Sequence, residues 1–202
     1  AMKFKTGYKD SFIGNTYAHE FTLLCQKRIR LILFAMNIFL VGFMGCGKSS
    51  LGKRLALRLN YRFLDLDEEI ERQAGLSISE IFKRDGEHYF RQLEANILRQ
   101  VEKSVPTVVA TGGGTPCHFD NMDYINSNGV SVYLRMSPKS LAWRLENTHK
   151  NRPLIANMQG EGLLQFVETK LAEREQFYMQ AHCIVKGETV KVAHVVALVF
   201  GS

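Results

Sequence analysis

The 202-residue sequence has few cysteines, and they do not recur at the short spacings of a zinc site. The four thiols lie far apart with no C-x-x-C pair, and the six histidines form no H-E-x-x-H pattern. These absences argue against bound zinc and against a disulfide-stabilised secreted domain. We expect free thiols in a reducing cytoplasm at Cys25, Cys46, Cys117 and Cys183.

The chain also lacks an apolar run long enough to cross a membrane as a helix. Residues 31–44 follow a basic segment and so resemble a signal peptide, but Asn37 and Gly42 interrupt the run. A helix that spans a bilayer needs about 20 mostly apolar residues. We therefore expect neither a membrane span nor a membrane partner.

The net positive charge is small outside the N-terminal segment, although the whole chain has a formal net charge of +6. Residues 1–35 hold 6 Lys and Arg against 2 Asp and Glu, whereas residues 36–202 hold 20 against 18. A protein that binds the phosphate backbone would spread basic residues along one face of its core. The distribution therefore argues against a nucleic-acid partner.

The length and the 46% hydrophobic composition allow one substantial core and make a second full domain unexpected. Residues 1–35 show no clear hydrophobic period, so we predict a weakly ordered N-terminal extension there. The alternative is an ordered helix around residues 18–34 that packs on the domain. The predicted domain itself covers residues 36–202.

Short apolar runs alternate with helical periodicity after residue 36, which is typical of β-α-β units and a parallel sheet. Two amphipathic helices are indicated by apolar residues at helical spacing. The first set is Leu51, Leu55, Ala56 and Leu59, and the second is Phe90, Leu93, Ile97, Leu98 and Val101. We predict an α/β fold whose five strands are Asn37–Val41, Tyr61–Leu64, Thr107–Ala110, Val130–Arg135 and His182–Val185.

The strongest chemical signal follows the first predicted strand, where residues 42–49 match G-x-x-x-x-G-K-[ST] at the start of a helix. Such a loop turns its backbone N–H groups around the β-phosphate of a nucleotide, and the helix N-terminus adds positive potential. Lys48 is expected to reach the β- and γ-phosphates, and the Ser49 hydroxyl to ligate Mg²⁺. A chance glycine-rich turn is the alternative interpretation.

Two carboxylates, Asp65 and Asp67, follow the second strand, at the sheet edge where α/β proteins bind ligands. One carboxylate would organise Mg²⁺ and its waters, and the other would accept a hydrogen bond from a substrate hydroxyl. The alternative is that one of them only caps the helix that follows.

Glycines and arginines supply the remaining candidates. Three glycines, Gly112–Gly114, follow the third strand and allow close backbone approach to a ligand. Arg91 and Arg174 are candidate carboxylate clamps, although each could instead pair with acidic residues along its own helix. Arg152 lies in a polar segment at residues 148–154 that resembles a mobile lid.

Five motifs in register are similar to those of the shikimate kinase family. They are the loop at residues 42–49, Asp65-Leu66-Asp67, the segment at residues 81–94, the triple glycine, and Asn151-Arg152-Pro153-Leu154 followed by Arg174 and Tyr178. The resemblance covers residues 37–200. It implies a three-layer P-loop kinase fold with a five-stranded parallel sheet flanked by helices, and a monomeric enzyme that phosphorylates the 3-hydroxyl of shikimate with ATP and Mg²⁺.

The resemblance also implies a set of site residues. Asp67 would take the ring hydroxyls of shikimate, Arg91 and Arg174 its carboxylate, and Asp65 would organise Mg²⁺ with Ser49. Catalytic residues would be Lys48, Asp65, Asp67 and Arg152. ATP would be bound by Gly45, Cys46, Gly47, Lys48, Ser49, Ser50, Arg144 and Arg152, and shikimate by Asp67, Phe82, Phe90, Arg91, Gly112, Gly113, Gly114 and Arg174.

The chain departs from the family pattern at two places. Ser50 stands where the family commonly has threonine, and residues 186–191 lack the proline that often packs on the adenine. Two alternative functions are considered. A gluconate kinase would share the P-loop but need fewer arginines for a single carboxylate, and a nucleotide-binding module would keep the P-loop without turnover.

Overall fold

A computed structural model describes residues 36–102, 104–147 and 158–201 of the chain. The predicted extension at residues 1–35 lies outside the described residues, as does the predicted lid segment with Arg152. Among the helices that are described, none combines the length and apolarity that a bilayer crossing requires.

Five parallel strands form one sheet in the order β2-β3-β1-β4-β5. The strands are β1 Asn37–Val41, β2 Arg62–Asp65, β3 Thr107–Ala110, β4 Gly129–Arg135 and β5 Cys183–Lys186. The helices of the described residues are α1 Lys48–Leu59, α2 Leu66–Ala74, α3 Ile78–Arg99, α4 Asn121–Asn128, α5 Pro138–Glu146, α6 Gly160–Tyr178 and α7 Val192–Phe200. A short 3₁₀ turn, Thr115–Cys117, follows β3. This arrangement confirms the predicted α/β fold.

The central strands are buried along their whole length, because helices cover both faces of the sheet. Every residue of β1 and of β3 is buried, and successive side chains of a strand point to opposite faces. The helical residues Leu51, Leu55 and Leu98 join this core, as their spacing predicts. Val101 lies beyond the end of α3, since that helix ends at Arg99.

Two predicted strands coincide with the structure, β4 begins one residue earlier than predicted, and β2 and β5 are each shifted by one residue toward the C-terminus. β2 begins at Arg62 because the Tyr61 amide donates instead to the Ala56 carbonyl at the end of α1 (2.9 Å). β5 begins after His182, whose amide donates to the Ser131 hydroxyl (2.9 Å). Side-chain and cap hydrogen bonds therefore set these strand starts.

The strand order brings the candidate motifs to one edge of the sheet. β1 lies between β3 and β4, and β3 lies beside β2. All strands run in parallel, so the loop after β1, the carboxylates at the end of β2 and the glycines after β3 lie at the same end of the sheet. That end is where open α/β sheets bind their ligands.

Gly129 is required by close packing at the start of β4. A methyl group built there would lie 2.3 Å from the Asn37 carbonyl oxygen in the neighbouring strand. We expect Gly129→Ala to lower the free energy of unfolding by about 1–3 kcal/mol, since overpacking forces the two strands apart. Urea denaturation measures this change.

The matched control is Gly162→Ala on α6, where a methyl group would meet nothing within 4 Å. There the substitution should be neutral or stabilise by up to about 1 kcal/mol, because alanine has the higher helix propensity. Equal stability of Gly129→Ala and the wild type would contradict the packing argument.

Candidate active site

The loop at residues 42–47 wraps around the amino group of Lys48. Gly42, Gly45 and Gly47 have φ of 138°, 83° and 98°, a region that side chains other than glycine rarely adopt. The buried Lys48 Nζ donates to the carbonyl oxygens of Gly42 (2.7 Å) and Phe43 (3.0 Å). The ammonium therefore lies within the loop at the N-terminus of α1, where phosphate oxygens are bound in P-loop proteins.

Ser49 and Asp65 are in direct contact beside this loop. The Ser49 hydroxyl donates to Asp65 Oδ2 (2.5 Å), while Asp65 Oδ1 accepts from the Asp67 amide (3.1 Å). Asp65 is thus the N-cap of α2 and also the hydrogen-bond partner of the P-loop serine. Its predicted role as a helix cap does not exclude its predicted role at the site.

Hard oxygen ligands are consequently available at this point. Mg²⁺ at a triphosphate keeps several waters and uses one or two protein oxygens, and a Ser49 oxygen backed by Asp65 fits that need. Within the described ranges, no group of three or more His, Cys, Asp and Glu residues could hold a metal by itself.

The carboxyl group of Asp67 has a raised pKa. Burial, together with the nearby carboxylates of Asp65 and Glu94, raises its pKa to about 6, while the positive charge of Lys48 acts in the opposite direction. A methyl group on Gly112 would lie 2.8 Å from Asp67 Oδ1 and 2.7 Å from Glu94 Oε1. Only glycine therefore leaves room at that position for both carboxylates.

Arg91 is buried and held by two acidic residues of its own helix. Its guanidinium donates to Glu94 Oε2 (2.9 Å) and to Glu87 Oε1 (3.1 Å). A methyl group on Gly114 would lie 2.7 Å from Arg91 Nη1, so the glycine loop and the guanidinium are in close approach. Arg91 therefore pairs with acidic residues of its own helix, as one interpretation predicted, and it also lies at the glycine loop, as the other predicted.

Arg174 approaches the same region from α6. Its guanidinium lies 5.6 Å from the centre of the Phe43 ring in the P-loop. Burial raises the pKa of the Cys117 thiol to about 11, against the positive charges of Arg174 and Arg91, which lower it. Arg91 lies against Gly114, and the helix that carries Arg174 contacts Gly113 through the Tyr178 hydroxyl, so two helices bring these arginines toward the same loop.

The alternative partners considered for Arg174 are engaged elsewhere. Lys170 pairs with Glu173 (2.7 Å), and Glu175 pairs with Arg135 (2.9 Å). Among the residues that the structure describes, no carboxylate forms an ion pair with Arg174. That guanidinium is therefore available to an anionic ligand.

Apolar surface lies beside Arg91. The rings of Phe82 and Phe90 pack with their centres 4.7 Å apart, and the Arg91 guanidinium lies 5.0 Å from the Phe90 ring. Between them α3 bends at Gly86, whose φ of 81° and ψ of 172° are not helical. This bend sets the angle between the turn that carries Phe82 and the turn that carries Arg91.

Arg144 contacts the P-loop from α5. Its Nη1 donates to the carbonyl oxygen of the buried Cys46 (3.3 Å), next to Gly47. Ser50 is exposed in the first turn of α1. Arg144 thus lies at the nucleotide loop, and its predicted contact with the adenine stays a prediction.

The segment after β5 is held by hydrogen bonds in place of the missing proline. The Gly187 amide donates to the Arg135 carbonyl (2.7 Å), and Glu188 Oε1 accepts from the Ser137 amide (2.9 Å). These contacts join Gly187 to the end of β4 and Glu188 to the N-cap residue of α5, the helix that carries Arg144.

Three residues that contact the candidate site, Glu94, Thr115 and Tyr178, had no site role predicted from the sequence. Glu94 is fully buried and accepts from the Thr115 hydroxyl (2.5 Å), whereas the sequence suggested only that acidic residues of its helix pair with Arg91. Tyr178 donates to the Gly113 carbonyl (2.5 Å). Spacing gives no signal for these contacts, because the partners are 21 and 65 residues apart.

The family model for shikimate kinase matches residues 44–200 of the chain. A shikimate kinase of Parabacteroides distasonis is 42% identical over 145 residues, which cover 72% of this chain and 84% of the relative. A shikimate kinase of Bacteroides fragilis is 43% identical over 149 residues, which cover 74% and 83%.

Solved structures agree with these sequence relatives. The crystal structure of the shikimate kinase of Bacteroides thetaiotaomicron matches with a TM-score of 0.77 and 36% identity, over 81% of this chain and 97% of that one. A shikimate kinase of Acinetobacter baumannii in complex with shikimate matches with a TM-score of 0.74 and 34% identity, over 82% and 93%.

The raised pKa of Asp67 predicts a stability change for Asp67→Asn. The native carboxyl has a pKa of about 6 against an ordinary value of 3.8, so its ionisation favours the unfolded chain. At about pH 7.5 the amide should raise the free energy of unfolding by up to about 3 kcal/mol. This gain should shrink as the pH falls from about 6 toward 4, where the unfolded carboxyl also becomes protonated.

Urea denaturation at several pH values measures the difference between variant and wild type. Glu168→Gln, which removes an exposed carboxylate of α6, is the control and should change stability little at any pH. A difference for Asp67→Asn that stays constant with pH would contradict the linkage.

Proposed function

The chain belongs to the shikimate kinase family, and we propose that it transfers the γ-phosphate of ATP to the 3-hydroxyl of shikimate. The products are ADP and shikimate 3-phosphate. The observation that carries this proposal is that Arg91 lies against Gly114 of the loop after β3, while Arg174 lies beside Phe43 of the P-loop.

The acceptor pocket suits a carboxylate attached to a hydroxylated ring. Arg91 and Arg174 supply two guanidinium groups, which bind carboxylates through paired N–H donors. Phe82 and Phe90 supply an apolar wall next to Arg91. The Asp67 carboxylate lies beside Gly112 and close enough to Lys48 to feel its charge, where it could accept a hydrogen bond from a ring hydroxyl.

The nucleotide is held at the P-loop. Backbone N–H groups of residues 45–49 would surround the β-phosphate, and Lys48 would move its ammonium from the loop carbonyls onto the β- and γ-phosphates. Ser49 would ligate Mg²⁺ directly and Asp65 through water. When bound, this ion neutralises charge on the β- and γ-phosphates.

Transfer then consists of positioning and proton removal. The acceptor oxygen attacks the γ-phosphorus in line with the bond to the β-phosphate oxygen, which breaks and leaves with ADP. The hydroxyl proton passes to the Asp67 carboxylate, whose pKa of about 6 makes it a stronger base than an ordinary aspartate. Lys48 stabilises the charge that develops on the phosphate oxygens.

The remaining assignments are predictions from the sequence. We propose that Arg152 closes onto the phosphates from its lid segment, which lies outside the described residues. Arg144, which contacts the P-loop at Cys46, is proposed to flank the adenine. A monomeric, cytoplasmic enzyme is also proposed.

An acceptor panel tests the substrate. ADP release is measured with shikimate, with gluconate and without acceptor. We expect ADP release with shikimate but not with gluconate or without acceptor, because the paired arginines and the glycine loop form a pocket for a ring carboxylate. Turnover with gluconate only would favour a gluconate kinase, and ATP binding without any turnover would favour a nucleotide-binding module.

Asp67→Asn tests the proposed base. We expect turnover to fall by a factor of about 10² to 10⁴, while ATP affinity is preserved, since Asp67 serves the acceptor and not the nucleotide. In the wild type, kcat/KM for shikimate should decline with acid below about pH 6, as the carboxylate becomes protonated. Lost ATP binding with unchanged shikimate affinity would reverse this assignment.

A further inference from the structure

Tyr178, the last residue of α6, links that helix to the glycine loop. Its side chain is fully buried, and its hydroxyl lies 2.5 Å from the Gly113 carbonyl oxygen. The ring packs against Tyr133 of β4, with ring centres 5.1 Å apart. A buried tyrosine thus joins two segments that are 65 residues apart in the chain.

The Tyr178 hydroxyl is the donor in this bond, because a carbonyl oxygen can only accept. Burial raises the pKa of Tyr178 well above its ordinary value, so the phenol keeps its proton at physiological pH. Arg174 lies four residues earlier on the same helix, and its positive charge lowers this pKa, though less than burial raises it.

The bond to Gly113 also orients the next amide. A trans peptide unit is planar, and its C=O and N–H groups point in opposite directions. No cis peptide occurs among the described residues. The Gly114 N–H therefore points away from Tyr178, at a buried position beside Arg91.

That amide is suited to an incoming anion. Within the described part of the chain, neither the Gly113 N–H nor the Gly114 N–H has a hydrogen-bond acceptor. A buried N–H group without an acceptor is costly, and a carboxylate oxygen would satisfy it. The Gly114 amide and the Arg91 guanidinium could then bind the same ligand.

We propose that Tyr178 is a positioning residue for the acceptor carboxylate. It fixes the direction of the Gly114 amide, and it also ties the helix that carries Arg174 to the loop that lies against Arg91. Loss of the hydroxyl lets the loop and the helix move relative to each other, so the two arginines no longer match one carboxylate. This inference rests on the proposed function, since it needs a carboxylate at the glycine loop.

Tyr178→Phe tests the proposal, because it removes the hydroxyl and keeps the ring that packs on Tyr133. We expect KM and the calorimetric Kd for shikimate to rise about tenfold, the effect of losing one hydrogen bond to the site, with KM for ATP changed less than about twofold. The melting temperature is measured in parallel.

Tyr133→Phe is the matched control from the same ring pair. The Tyr133 hydroxyl is buried and has no hydrogen-bond partner among the described residues, so its removal breaks no bond to the loop. This variant should keep the wild-type KM for shikimate and for ATP.

The outcomes separate the two proposals. Wild-type turnover of shikimate is measured first, and its absence would contradict the proposed function. With an active wild type, unchanged shikimate affinity in Tyr178→Phe would overturn the positioning role. An equal loss of affinity for ATP and for shikimate in Tyr178→Phe would overturn it as well, because it indicates a general packing effect. The same loss of shikimate affinity in Tyr133→Phe would do so for the same reason.

Discussion

The buried ion pair of Arg91 and Glu94 is the interaction on which the acceptor side of the site depends. Glu94 is fully buried, and Arg91 is nearly so. Removing two charges from water is expensive, and the attraction between them offsets this only when other hydrogen bonds complete both groups. The Thr115 hydroxyl completes Glu94, and Glu87 completes Arg91. The guanidinium is thereby fixed before any ligand arrives, so binding need not order it.

Burial and the neighbouring charges explain the raised pKa of Asp67. Burial raises this pKa, the carboxylates of Asp65 and Glu94 raise it as well, and the positive charge of Lys48 only partly compensates. A carboxylate that is costly to keep ionised is a better proton acceptor than a solvated one. The site therefore sacrifices some folding stability for reactivity, as active sites commonly do.

The glycines of the loop after β3 belong to this arrangement for steric reasons. A side chain at Gly112 would displace two carboxylates, and one at Gly114 would displace the Arg91 guanidinium. Neither glycine has a positive φ, so backbone freedom is not what requires them. Close approach is the physical reason for both, which agrees with the interpretation drawn from the sequence.

Local pattern was enough to predict the fold class, the P-loop and the strands β1 and β3, because each depends on neighbours in sequence. Apolar runs place strands in the core, and glycine spacing shapes the loop around Lys48. The strand starts at Arg62 and Cys183 were set instead by hydrogen bonds from Tyr61 and His182 to other elements. Such hydrogen bonds do not change the hydrophobic periodicity of the sequence, so the pattern does not predict them.

The sequence by itself determined which chemical groups the protein brings to the sheet edge. Tertiary structure alone decided how those groups meet: that the Thr115 hydroxyl donates to Glu94, and that the Tyr178 hydroxyl donates to the Gly113 carbonyl. The physical reason is that these contacts join residues 21 and 65 positions apart, on elements whose relative placement follows from the packing of the whole core.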